Sequence, residues 1–279
     1  MLSSSCLCGA VRWEAEGPLQ LMSHCHCTRC RKAHGSPFAT YVGVPEAGFR
    51  LMGVEHLVSW QSSPEMVRSF CGTCGSVAPL SSSQGMVFVP AGNFDTDPGA
   101  RALAHIFVAS KAPWYEIHDD LPQFDAYPPG VESPVVDTPQ PVAASDAICG
   151  SCLCGDVAFA IRGPVTGWWN CHCGRCRKAR SAAHASNLFL PLDQFEWLRG
   201  EGASAFYKVP EALRFGQSFC RRCGSITPRC DADRGLAIVA AGSLDDDPGV
   251  RPQAHIFVDS RAPWFEIRDS LPQHAAYPA

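Results

Sequence analysis

Cys25-His-Cys-Thr-Arg-Cys-Arg-Lys-Ala33 recurs as Cys171-His-Cys-Gly-Arg-Cys-Arg-Lys-Ala179, and this repetition organises the whole chain. On its N-terminal side, Ser5-Cys-Leu-Cys-Gly9 recurs as Ser151-Cys-Leu-Cys-Gly155. On its C-terminal side, Ser69-Phe-Cys-Gly-Thr-Cys-Gly-Ser76 recurs as Ser218-Phe-Cys-Arg-Arg-Cys-Gly-Ser225. Further on, Ala104-His-Ile-Phe-Val-Ala-Ser-Lys-Ala-Pro-Trp114 recurs as Ala254-His-Ile-Phe-Val-Asp-Ser-Arg-Ala-Pro-Trp264. The order is kept over the full length of each copy, so this is a tandem domain duplication rather than a solenoid of short repeats. The expected domains are residues 1–125 and 148–279. The segment 126–147 between them has five prolines and no basic residue, which predicts an extended, semi-rigid connector, or else a strap packed along one domain.

The remaining composition narrows the class. With 46% hydrophobic and 18% charged residues, the chain can fill packed cores. No apolar run approaches the roughly 20 residues of a membrane helix. The N-terminal Met1-Leu-Ser-Ser-Ser-Cys6 lacks the features of a secretory signal, so a cytoplasmic protein is expected. A net charge of −4 is the wrong footprint for nucleic acid. Each copy reads as mainly β. Val11-Arg-Trp-Glu-Ala-Glu16 alternates with period two, as do Val157, Phe159 and Ile161, while Met86-Val-Phe-Val89 and Ile106-Phe-Val108 are short strand-like runs. Only Thr28–His34 and its counterpart Gly174–Arg180 read as helical.

Sixteen cysteines in a chain without an export signal point to metal rather than disulfides. Cys6 and Cys8, as alternate residues of a strand, would present two thiolates to one ion. Cys71 and Cys74, followed by Gly75, add a knuckle and complete the four sulfurs of a closed structural zinc site. Cys152, Cys154, Cys220 and Cys223 repeat the set. Cys25, Cys27 and Cys30 differ, because three thiolates close one side of an ion and leave a fourth position free, the pattern of a catalytic zinc. Cys171, Cys173 and Cys176 repeat that trio. The plainer alternatives are a second structural site completed by a distant ligand, or empty reduced thiols. Its flanking Arg31 and Lys32 would offset the excess negative charge and receive an anionic substrate.

The histidines read more plainly. His26 and His172, each between two cysteines, should face away from the metal, and His105 and His255 should be core or rim residues. His24 is the candidate for a fourth ligand or proton shuttle, in one half only, since its counterpart is Asn170. Cys149 and Cys230 have no partner in the first copy.

Taken in order, these motifs resemble the glutathione-dependent formaldehyde-activating family, which also includes centromere protein V. The resemblance implies an Mss4-like fold of antiparallel sheets, with structural zinc on the outer cysteines and labile zinc on the central trio, near bound glutathione. That makes up to four zinc ions per chain, two of them labile. It implies a carbon–sulfur lyase or synthase working on a thiol adduct of a small aldehyde such as formaldehyde. Zinc-bound water acting as a hydrolase, or a non-catalytic binding module, are the rival readings. Gly35-Ser-Pro-Phe38 follows the family pattern, whereas Ser181-Ala-Ala-His184 departs from it and puts full activity of the second site in question. The two halves are expected to pack as a pseudo-dimer.

Overall fold

The computed structural model describes residues 1–64, 66–81, 85–131 and 139–278. The middle of the connector, 132–138, lies outside them. Among the described residues, the protein is mainly β, with two α-helices, α1 (Thr28–His34) and α2 (Gly174–Arg180), at the bounds read from the sequence. No described helix is long and apolar enough to cross a membrane.

The halves repeat one plan. In the first, strands Leu2–Ser5, Arg12–Ala15 and Phe49–Met52 form a three-stranded antiparallel sheet, and Ile148–Ser151, Ala158–Ile161 and Phe195–Arg199 form its counterpart. A six-stranded sheet follows in each half. Its centre is antiparallel, Gln20–Cys25 against Ala39–Pro45 and Gly167–Cys171 against Ala185–Pro191. Its edge is parallel, because His105–Ile106 and Ala254–Ile256 return through long loops and enter from the same end as the strands they join. The sheets are therefore mixed rather than wholly antiparallel. Phe107 and Phe257 end those edge strands early by adopting left-handed backbone, φ +58 and +57. In the second half the alternating run is buried on both faces, with Ala158 through Ile161 all inaccessible, so its pattern marks a central strand rather than a half-exposed one.

Each helix begins on a cysteine. The Cys27 sulfur caps α1 by accepting from the Cys30 N–H at 3.3 Å, and Cys173 caps α2 through Cys176 at 3.4 Å. At the other end Gly35 and Ser181 share a left-handed conformation, φ +59 and +52. Glycine is required at the first position for space as well, since a Cβ there would stand 2.8 Å from the Ile226 side chain. Ser181 has room, and its hydroxyl donates to the Val77 carbonyl of the first half at 3.1 Å. The departure from glycine is accommodated without changing the turn.

The two halves exchange parts of their cores. Trp114 of the first half lies among Phe159, Ile161, Trp168 and Leu188 of the second, edge-on to Trp168 with ring centroids 5.2 Å apart. Trp264 of the second half lies among Trp13, Met22, Phe38 and Val44 of the first, and its indole N–H donates to the Ala91 carbonyl. Burial of one such ring contributes on the order of 2–3 kcal/mol, so each core is incomplete without the other half. Phe70 packs against its own counterpart Phe219, and Phe38 against His184, with centroids 6.1 and 6.0 Å apart.

Candidate metal centres

Four cysteine clusters stand out, each with all its sulfurs within 4.8 Å of one another: Cys6, Cys8, Cys71 and Cys74; Cys152, Cys154, Cys220 and Cys223; Cys25, Cys27 and Cys30; Cys171, Cys173 and Cys176. All sixteen cysteines are free thiols. These groups could hold metal ions, and no described histidine or carboxylate joins them.

The quartets are assembled from two turns. Cys6 follows the first strand rather than lying in it, and a turn closed by Gly9 N–H to the Cys6 carbonyl brings Cys8 round to 3.5 Å from Cys6. Turn geometry, not strand alternation, pairs them. Cys71 ends strand Met66–Cys71, and Gly75 at φ +75 lets its N–H reach back to the Cys71 carbonyl, which sets Cys74 against the others. The Cys8 and Cys71 sulfurs are 3.6 Å apart. The Val11 N–H donates to the Cys6 sulfur at 3.3 Å, and the Ser76 hydroxyl touches Cys74 while accepting from the Leu7 N–H. Ser225 does the same in the second quartet, with Leu153 and Cys223. Thiol hydrogen bonds from Cys6 and Cys71 hold Cys74 far below the ordinary thiol range. Ser76 and Ser225 escaped the sequence reading, although both follow the knuckle glycine directly.

The triplets sit where a strand meets a helix. Cys25 ends its strand, Cys27 caps α1, and Cys30 occupies the first helical turn. Cys25 and Cys30 are buried, whereas Cys27 is partly exposed. The neighbouring Cys25 and Cys27 thiols hold Cys30 well below its usual range, with the Arg68 charge adding to the effect. Arg68, buried on strand Met66–Cys71, donates from Nη2 to the Cys30 sulfur at 3.4 Å, and among the described residues its Nε and Nη1 have no hydrogen-bond partner. The second triplet has Gln217 where the first has Arg68, and its nearby guanidinium is Arg180 at the end of α2, where the first half has His34; burial brings Arg180 down to about 10 against the opposing pull of Cys176 and Cys171. Arg180 donates to Gln217 Oε1 at 3.3 Å and to Asn187 Oδ1 at 3.0 Å. Hydrogen bonds from Cys171 and Cys176 bring Cys173 down to about 3.

Arg31 and Lys32, expected to receive a substrate carboxylate, are taken up by the other half instead. The inaccessible Lys32 ammonium pairs with Asp245 Oδ1 at 2.6 Å and donates to the Ser151 hydroxyl and carbonyl, which uses all three of its protons. Arg31 donates to the carbonyls of Gly242 and Leu244. Reciprocally, Lys178 pairs with Asp95 at 2.6 Å and donates to Ser5 Oγ. A cation beside a metal cluster is expected to face solvent, and only the other half's carboxylate makes burial of Lys32 tolerable.

The histidines form a buried chain behind each triplet. Asp119 accepts from His105 Nε2 at 3.0 Å, and His105 Nδ1 meets His26 Nε2 at 2.8 Å. Asp269, His255 and His172 repeat the arrangement at 2.9 and 2.8 Å. His26 thus faces away from the sulfurs, and burial followed by the His105 charge brings it down to about 3. His24 does not join the triplet. It bonds Thr40 Oγ1 at 2.8 Å and packs against Phe38, and burial brings it to about 3. His184 in the second half replaces Phe38 of the first, and burial likewise brings it to about 3.

Comparison with known proteins follows the duplication. A family profile described as glutathione-dependent formaldehyde-activating enzyme matches residues 1–110 and again 147–260. A Halomonas elongata protein provisionally named glutathione-dependent formaldehyde-activating enzyme is 30% identical over 140 residues, which span 46% of this chain and 87% of that protein. A Rhodobacter sphaeroides protein of known crystal structure is 23% identical. The match covers 38% of this chain and 98% of that one, with a TM-score of 0.30.

Proposed function

Because the chain belongs to the glutathione-dependent formaldehyde-activating family, we propose that it is a zinc-dependent carbon–sulfur lyase or synthase acting on the adduct of glutathione, or another thiol, with a small aldehyde such as formaldehyde. The observation that carries this reading is the pairing, in each half, of a closed sulfur quartet with an open sulfur triplet. Sulfurs about 2.3 Å from one zinc stand about 3.8 Å apart in a tetrahedron. The quartet separations of 3.5–3.7 Å fit that edge. Cys6, Cys8, Cys71 and Cys74, with Cys152, Cys154, Cys220 and Cys223, would hold two structural ions. The triplets would hold two labile ones.

Zinc bound at a triplet supplies acidity, lowering the pKa of a coordinating thiol so that it ionises near neutral pH. The chain supplies the rest. Cys25 and Cys30 close the buried side, and the partly exposed Cys27 leaves the approach on the solvent side. Arg68 in one half and Arg180 in the other offset part of the thiolate charge. Holding thiol and aldehyde together raises their effective concentration. The thiol sulfur then bonds to the carbonyl carbon, the C=O π bond opens, and the proton given up by sulfur ends on oxygen. The lyase direction reverses each change. In this reading residues 1–125 and 148–279 are two Mss4-like domains joined as a pseudo-dimer, working in the cytoplasm.

The test mixes zinc-loaded protein with formaldehyde and glutathione and follows adduct exchange by NMR. Exchange faster than in the buffer blank is expected, and a rate equal to the blank overturns the proposal.

A further inference from the structure

The last turn of α2 rests on the cysteine knuckle of the first half. A helix leaves its final carbonyls without partners of its own, and side chains from other elements meet three of them here. The Lys178 carbonyl accepts from the Ser76 hydroxyl at 2.9 Å, and the Arg180 carbonyl accepts from His34 Nδ1 at 2.8 Å. The Ala179 carbonyl accepts from Gln217 Nε2 at 2.8 Å. The same Nε2 donates to the carbonyl of Cys74, a member of the first quartet, at 2.9 Å.

Gln217 is buried on strand Gly216–Cys220. Both partners of its nitrogen are carbonyls, which only accept, so its amide has a single possible orientation. Oε1 is thereby turned to Arg180, which donates to it from Nη1 at 3.3 Å and to Asn187 Oδ1 from Nη2 at 3.0 Å. Arg180 follows Cys176 by four residues on α2, one turn along the same face, and its charge interacts with Cys176 and Cys171. Two amide oxygens thus fix a buried guanidinium beside the sulfurs. The first half is built otherwise. Arg68 stands in the position of Gln217 and reaches Cys30 itself, and among the described residues it makes no bond to the opposite knuckle.

We propose that Gln217 is a positioning residue for the second triplet: clamped between the Cys74 carbonyl and α2, it holds Arg180 where the guanidinium favours an anionic thiolate at the open position. This rests on the reading of the triplets as thiol-binding zinc sites. Gln217 acts through Arg180, and its own footing lies in the other half.

The test is a double-mutant cycle in zinc-loaded full-length chain carrying Cys27→Ser, which leaves the second triplet intact. 2-Mercaptoethanol is titrated by calorimetry, and two chelator-resistant zinc ions report that each variant is folded. Arg180→Met should weaken thiol binding roughly tenfold, as loss of a cation beside a thiolate does. Gln217→Met should weaken it roughly threefold, the worth of one hydrogen bond. The two together should weaken it no further than Arg180→Met alone. The milder Arg180→Gln and Gln217→Asn serve where a methionine variant loses those two ions. In a Cys173→Ser background, which leaves the first triplet, Gln217→Met should not change the affinity. Losses that multiply in the double variant, a Gln217→Met chain that binds as its parent does, or an equal loss at the first triplet would each overturn the proposal while leaving the zinc-site reading standing. Failure of the parent Cys27→Ser chain to bind the thiol overturns both.

Discussion

The two quartets are near-copies of each other, whereas the two triplets keep their sulfurs, their cysteine helix caps and the histidine chains behind them but differ in the charged and polar groups beside the sulfurs. In the quartets the backbone N–H to sulfur bond is 3.3 Å in both halves, and the serine that braces the knuckle accepts its N–H at 3.0 and 3.1 Å. Around the triplets the guanidinium has moved from a strand, as Arg68, to a helix end, as Arg180, and His34 and Tyr41 have given way to Arg180 and Asn187. The difference follows from what each cluster must do. A quartet joins turns more than 60 residues apart, so its geometry leaves little freedom. A triplet is assembled within one strand–helix junction and needs only a nearby cation to balance its charge, which any adjoining element can provide. Charge balance constrains the sum, not the position.

The largest effect should separate quartet from triplet. If the quartets hold structural zinc as proposed, Cys71→Ser should leave the chain unfolded at ordinary temperature, because such an ion would contribute on the order of 10 kcal/mol, as much as a whole domain's stability. Since Trp114 and Trp264 complete each other's cores, both halves should be lost together. Cys27→Ser should stay folded. Thermal melts followed by circular dichroism decide the matter, and equal destabilisation by the two would erase the distinction.

A smaller effect should split the reciprocal ion pairs. Lys32 and Asp245 have side chains 0% and 3% exposed, but Lys178 and Asp95 are 24% and 45% exposed. Lys32→Met leaves Asp245 unpaired in the interior and should cost about 3–5 kcal/mol. Lys178→Met should cost about 1 kcal/mol or less, because water screens the partner it leaves. Urea unfolding of the two variants measures both.

The smallest effect is a slope. His184 is buried, with its pKa down to about 3, so below pH 6.5 the unfolded chain binds a proton there that the folded chain does not. Its contribution to stability is therefore complete above pH 6.5 and falls away as pH drops toward 3. His184→Phe installs the first half's residue and should flatten the loss of stability on acidification by up to about 1.4 kcal/mol per pH unit within that window. Urea midpoints at pH 7.5 and 5.5, compared with the parent chain, report it; parallel slopes would show that His184 takes no part.

Much of this was legible in one dimension. The duplication, the mainly β character, both seven-residue helices and the four cysteine clusters follow from motifs whose meaning lies in short-range spacing. The errors were also local. Cys6 and Cys8 were read on strand alternation, but a turn pairs them, because strand Leu2–Ser5 stops one residue short. Phe107 was read within a strand, but its backbone turns left-handed.

What the sequence by itself determined is where sulfurs can converge, since Cys-x-Cys and Cys-x-x-Cys bring ligands together by local backbone geometry alone. Only the tertiary structure decided that Trp114 and Trp264 cross into opposite cores, that Lys32 is buried on Asp245, and that Arg68 and Arg180 serve the same purpose from different elements. These contacts join residues far apart in the chain, and nothing in either partner's neighbourhood marks the other. A lysine by itself reads as solvent-facing; it takes a carboxylate delivered from more than two hundred residues away to make its burial tolerable.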